Sequence, residues 1–188
     1  MKYISKGLVA AGSTEDILHI TRCGADFQLT GDQARLWLNG QFGFSAVKDG
    51  QPVLTKALEQ LRRQELVEIA DESEAGEYRA LTRCIMVPAK NRSFCSVLRS
   101  EEKTILKWIR EAGLRLTMAE LVFLLEHAIA PLPPLLGPDN RQSLTERIYT
   151  QENIFDNILE TQMEHAVRRD RVVKGVLRLL RKKRILLL

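Results

Sequence analysis

The stretch Val53–Ile69, VLTKALEQLRRQELVEI, has a counterpart 119 residues later in Val172–Leu188, VVKGVLRLLRKKRILLL. In the first, Leu54, Ala57, Leu58 and Leu61 follow the i, i+3, i+4, i+7 spacing of an amphipathic helix, and LVEIA continues as a β-prone run. Laid over one another, the two stretches match apolar to apolar at Val53/Val172, Leu54/Val173, Ala57/Val176, Leu58/Leu177, Leu61/Leu180, Leu66/Ile185, Val67/Leu186 and Ile69/Leu188. Arg62 and Arg63 fall on Arg181 and Lys182. Each stretch reads as a helix followed at once by a strand.

The surroundings of both stretches read alike. KYISKGLVAA (residues 2–11) suggests a short opening strand, and Ser13 caps an expected helix through about Cys23. LTGDQARLWLNG (29–40) reads as a second helix beginning near Thr30, with Leu29, Leu36, Trp37 and Leu38 facing inward. QFGFSAVKDGQP (41–52) is a turn-rich connector to the third helix. LVEIA, the polar turn DESEAGE with Gly76, and YRALTRCIMVP read as a β-hairpin. After a linker at Pro88 and AKNRS, the order restarts. Ser100 opens a helix with Ile105, Leu106 and Ile109 as its apolar stripe, and RLTMAELVFLLEHAI (115–129) is the next helix. Leu29-Thr30 falls on Leu116-Thr117 at a spacing of 87, so the second copy holds an insert of 32 residues. That insert contains the proline-rich APLPPLLGPDNRQ, read as an ordinary loop, and a helix opened by the capping box Ser143–Glu146. The last helix is capped by Asp170 and runs into ILLL.

Composition bounds what such a chain can be. Its 188 residues are 45% apolar and 28% charged, which excludes disorder and suits one large domain or two small ones. No apolar run approaches the ~20 residues of a membrane span. The first twenty residues lack the apolar core of a signal peptide, so the expected location is cytoplasmic. Cys23, Cys84 and Cys95 are an odd, widely spaced set, as reduced thiols would be. The net charge of +4 hides an uneven distribution: residues 1–92 are neutral, 93–164 carry −4 and 165–188 carry +8. A local density of that kind attracts polyanions whatever the total.

A helix, a second helix opened by LT, and a third of the form V-x-x-x-x-L-x-x-L-R-R-x-x-L-V-x-I followed by a hairpin resembles the winged-helix branch of the helix-turn-helix proteins. The resemblance covers about residues 14–87 and, less completely, 100–188. It implies a mainly α fold with small β-hairpins (α+β), built as two winged-helix-like domains in tandem. These would span 1–92, with an acidic wing, and 93–188, with a helical insert at about 130–168 and a basic C-terminal helix. It also implies that a third helix enters the DNA major groove while the wing lies along the backbone. Two departures stand out. The first wing carries Asp71, Glu72, Glu74 and Glu77, which phosphates repel. The second copy has a single wing strand, whose partner is either a neighbouring segment or the same strand of another subunit, a homodimer through Ile185–Leu188.

On the C-terminal helix, Val173, Val176, Leu177 and Leu180 form one face and Arg171, Lys174, Arg178, Arg181 and Lys182 the opposite one. Successive cations along one helix face can displace the counterions of a phosphate backbone. The expectation is therefore a DNA-binding protein, a transcriptional regulator, contacting double-stranded DNA through those five residues with Arg168 and Arg169 adding phosphate contacts. The competing expectation is a tandem winged-helix module for protein–protein interaction or dimerisation. An enzyme is not expected, nor a cofactor. Gly7-x4-Gly12-Ser13-Thr14 has the spacing of a phosphate loop but lacks its Lys. His19, His127 and His165 are far apart and outside any metal-ligand spacing, His127 reading as a helix-end or core-edge residue.

Overall fold

Tyr3 and Ile4 are neighbours on one strand and belong to different hydrophobic cores. Successive side chains of a strand point to opposite faces, so a single strand can serve two layers. In the computed structural model, which describes residues 1–14, 16–73, 75–89, 97–111, 118–131 and 169–188, that strand is β1 (Lys2–Ser5). It lies at the centre of a three-stranded antiparallel sheet, between β5 (Ser45–Ala46) and β6 (Val67–Ala70).

The first core lies on the Tyr3 side. It joins the sheet formed by β2 (Leu8–Val9), β3 (Ile17–Arg22) and β4 (Ala25–Thr30) to helices α1 (Gly31–Gly40) and α2 (Pro52–Arg63). Leu18, Ile20 and Leu29 from the strands meet Leu36, Trp37, Leu58 and Leu61 from the helices. Three hydrogen bonds fasten β1 and its exit to α1: Tyr3 Oη donates to the Leu36 carbonyl at 2.9 Å, Ser5 Oγ to Trp37 at 2.7 Å, and Trp37 Nε1 to Lys6 at 3.0 Å. The approach is so close that a Cβ on Gly40 would run into Tyr3 and Ser5.

The second core lies on the Ile4 side. It gathers α3 (Gly76–Thr82), α4 (Ser100–Glu111), α5 (Met118–Glu126), α6 (Arg169–Arg181) and the two-stranded sheet of β7 (Met86–Pro88) and β8 (Ile185–Leu187). Tyr78, Leu81, Cys84 and Met86, from before residue 92, pack here with Trp108, Phe123 and Leu180. Where α4 crosses α6, a Cβ added to Gly175 would sit 2.6 Å from Ile105 Cδ1, so the crossing depends on a residue without a side chain.

The expected mixture of helices and small antiparallel sheets is present, as are α1, α2, α4 and α5 within the helices expected over 29–40, 53–64, 100–113 and 115–129, and the strand after each amphipathic stretch. Three expectations change, and a fourth, open between two alternatives, is decided. The segment from Ser13 to Cys23 is not a helix: β3 and β4 form a hairpin whose two-residue turn, Cys23-Gly24, has φ of 50° and 87°. Positive φ at both central residues marks the type I′ turn that matches strand twist. The hairpin expected over 66–88 is also absent. β6 pairs with β1, β7 pairs with β8, and the chain between them folds into α3, so there is no acidic wing. Asp71 instead accepts hydrogen bonds from Ser73 and Arg79, and Glu77 pairs with Lys2. Of the two partners expected for ILLL, the structure has the segment of its own chain, in register Met86↔Leu187, Val87↔Leu186 and Pro88↔Ile185. Leu38 is 47% exposed rather than inward. The capping box at 143–146 and all but the first two residues of the insert at 130–168 lie outside the described residues.

Candidate nucleic-acid interface

The candidate interface lies on α6, whose sequence separates one buried from one basic face. Val172, Val173, Val176, Leu177, Leu179 and Leu180 are buried, as is Gly175 at the α4 crossing. Arg178 and Arg181 lie in the last turn, where cations complement the carbonyl end of the helix. The helix stops in a Schellman motif, with Arg184 N–H donating to the Leu179 carbonyl and Lys183 N–H to Leu180. Lys183 takes the left-handed conformation, φ 53°, that glycine usually supplies at this position.

The seven basic residues expected to act together are divided. Arg171, Lys174 and Arg181 are exposed and make no ion pair among the described residues. At 3.6 residues per turn these three fall within roughly 80° around the helix and span about 15 Å along it. Arg178 and Lys182, on the same face, are occupied. Glu102 of α4 accepts from Arg178 Nε at 2.7 Å and from Lys182 Nζ at 2.6 Å, while Glu101 lies 3.7 Å from Arg178. Lys182 also donates to the Val97 carbonyl. Arg169 is 8% exposed and bonded to Asp170. Arg168 lies outside the described residues.

Glu102 has no exposed side-chain surface. Burial alone would raise its pKa, but hydrogen bonds from Lys182, the Arg99 backbone N–H and Arg178 outweigh that and hold the carboxyl below its usual 4.5. The Arg99 contact is one half of a capping box, so the same carboxylate closes the start of α4 and restrains the end of α6.

Carboxylates temper the N-terminal part of the face too. Lys174 shares a small cleft of about 190 Å³ with Glu77, Tyr78 and Asp170. In the first half of the chain five arginines are already engaged, Arg22 with Glu65, Arg35 with Asp32, Arg62 with Glu59, Arg79 with Asp71 and Arg83 with Glu68, whereas Arg63 at the end of α2 is exposed and makes no ion pair among the described residues. Lys183 was outside the expected set. It is exposed, with Nζ 5.0 Å from the Phe42 ring. Its position in the basic run signals a charge, but only the helix end directs it toward Phe42.

His19 lies in β3, and His127 stacks on Phe123 with ring centroids 4.1 Å apart just past the end of α5. Among the described residues no helix is long and apolar enough to cross a membrane. Comparison with protein families, curated proteins and solved structures finds no match to this chain.

Proposed function

We propose that the protein is a non-enzymatic, cytoplasmic DNA-binding protein acting in transcriptional regulation, with α6 contacting the phosphates of double-stranded DNA through Arg171, Lys174 and Arg181. The observation that carries this reading is the line of three exposed cations along one helix, none of them ion-paired among the described residues. In this reading α6 stands where a winged-helix protein has its recognition helix, with β8 as the strand that follows. The repeated unit is the pair α2–β6 and α6–β8; among the described residues α6 presents three exposed cations outside any ion pair, and α2 presents two, Lys56 and Arg63. Three phosphate contacts make a modest electrostatic footprint, so binding should be weak and strongly dependent on salt.

Fluorescence anisotropy with a random-sequence duplex tests it, using wild type and the triple variant Arg171→Glu, Lys174→Glu, Arg181→Glu. Arg178 is left alone, because reversing it would break the contact to Glu102 and perturb the fold. The slope of log affinity against log salt should be near −2.7 for three contacts, at about −0.9 per phosphate neutralised. The triple variant should lose measurable binding while its thermal transition stays in place. Equal affinity and slope for the two proteins would overturn the assignment.

A further inference from the structure

The sheet β7–β8 has a second face. Met86, Ile185 and Leu187 point into the core, so Val87, Leu186 and Leu188 take the opposite side. That side lines an open groove of about 580 Å³, walled by Leu8 and Val9 of β2 and by Phe42. Val9 is 43% exposed, and Leu186 and Val87 are half-buried. The volume falls within the ~300–1,000 Å³ of small-molecule sites. Among the described residues, Lys183 is the one charged side chain that lines it.

Like Arg171, Lys174 and Arg181, Lys183 has no carboxylate partner among the described residues, but its cation alone of these rests over an aromatic ring, that of Phe42. The equivalent contact of Lys2 with Phe44 belongs to a lysine already paired with Glu77. The Schellman motif fixes the Lys183 backbone beside the groove, and the Phe42 ring is the contact that keeps its cation there. The larger cleft, near Met1 and Asp71, is open and lined by the carboxylates Asp49, Asp71, Glu72 and Glu77, of which Asp71 and Glu77 are already bonded within the chain.

We propose that this groove binds a small molecule with an apolar body and a single anionic head, an aliphatic carboxylate. The chain would lie on Val87 and Leu186 beside Val9, with the head group at Lys183. An uncharged chain would leave the cation without a partner, a cationic one would be repelled, and a polyanion would press unpaired charge against leucine and valine. The proposal goes beyond DNA binding and stands apart from it, since Lys183 is not among the three residues assigned to phosphates.

Methyl-resolved NMR of the full chain, titrated with decanoate, decan-1-ol and decylamine, tests it without DNA. Decanoate should shift the Val87, Leu186 and Leu188 methyls saturably, and decylamine should bind at least about tenfold more weakly. Lys183→Asn keeps a residue tolerant of the left-handed backbone and removes the charge. It should weaken decanoate about tenfold or more and leave decan-1-ol unchanged. Leu186→Gln should weaken both. The proposal is overturned if decanoate leaves those methyls unmoved or if Lys183→Asn binds it as tightly as wild type. Methyl shifts that follow dilution of the protein alone would also overturn it, because a second copy would then be the occupant.

Discussion

Glu102 and Lys182, 80 residues apart in the chain, meet across α4 and α6 at 2.6 Å, and the carboxylate that joins them has no exposed side-chain surface. The same carboxylate takes Arg178, so one acidic residue in the middle of the chain neutralises two cations of the basic tail. Charge counted along the sequence therefore overstates what α6 offers to a polyanion.

Replacing that carboxylate gives the first prediction. Glu102→Gln should destabilise the protein by about 2 kcal/mol, less than a fully buried pair would cost, because Arg178 and Lys182 keep a quarter of their surface exposed and can turn to water. The folded pKa of Glu102 lies below its ordinary 4.5, so the stability it adds is present in full above that value. It is lost as pH falls through the folded pKa. Urea unfolding of both proteins should show a gap that is constant near neutrality and narrows below about pH 4.5. A gap that does not depend on pH would show that Glu102 acts through packing rather than charge.

A second prediction concerns helix ends. Arg62, Leu125 and Leu180 each accept the penultimate hydrogen bond of a Schellman motif, and the residues in the left-handed position are Glu65, Ala128 and Lys183, none of them glycine. Glu65 holds Arg22 and Lys183 lies on Phe42, so Ala128 is the one with no side-chain contact to lose. Ala128→Gly should raise stability by about 0.5–1 kcal/mol, read from a shift in the denaturation midpoint at unchanged slope. A loss of stability would mean that unfolded-chain entropy outweighs the relief of strain.

Those missing glycines also explain part of what the sequence conceals. Apolar matching aligns the two helix–strand units at a spacing of 119, but their left-handed residues, Glu65 and Lys183, and their strand starts, Val67 and Ile185, are 118 apart. Without a glycine to mark the helix end, apolar side chains alone slip by one residue. Helices α2, α4 and α6 were legible because each carries a long amphipathic pattern. The β3–β4 hairpin was not, because Ser13 followed by Asp16 imitates a helix start while Leu18 and Ile20, alternating with His19 and Thr21, carry the strand signal. α3 was hidden by its brevity, seven residues with Tyr78 and Leu81 turned inward. On the candidate face of α6 the sequence identifies every cation. It cannot show that Glu102, in another helix, would occupy two of them.

The α4–α6 crossing yields a third prediction. Gly175→Ala gains roughly 1 kcal/mol of helix propensity but places a methyl 2.6 Å from Ile105 Cδ1, where overpacking costs about 1–3 kcal/mol. The single variant should be less stable than wild type. Ile105→Val removes the opposing Cδ1, so the double variant should be more stable than the two single changes summed. A double-mutant cycle measures that coupling, and additivity would place the helices farther apart than they stand here.

The cysteines provide the fourth. Cys84 is fully buried and its S–H donates to the Ala80 carbonyl at 3.3 Å, whereas Cys23 is exposed at the β3–β4 turn. Burial pushes the Cys84 thiol up to about 12, and the charge of Lys6 only partly opposes it. At pH 8 only about one Cys84 in ten thousand would be thiolate, the form that attacks alkylating reagents. Iodoacetamide followed by peptide mapping should therefore modify Cys23 in the native protein and Cys84 only once denaturant opens the second core. Because Cys84 packs with Tyr78, Met86 and the residues of α4–α6, its modification reports the opening of that core. Its rate should rise in Glu102→Gln in proportion to the lost stability, if the core opens as one unit. Native labelling of Cys84 at the pace of Cys23 would instead mean that α3 detaches while the rest of the core holds.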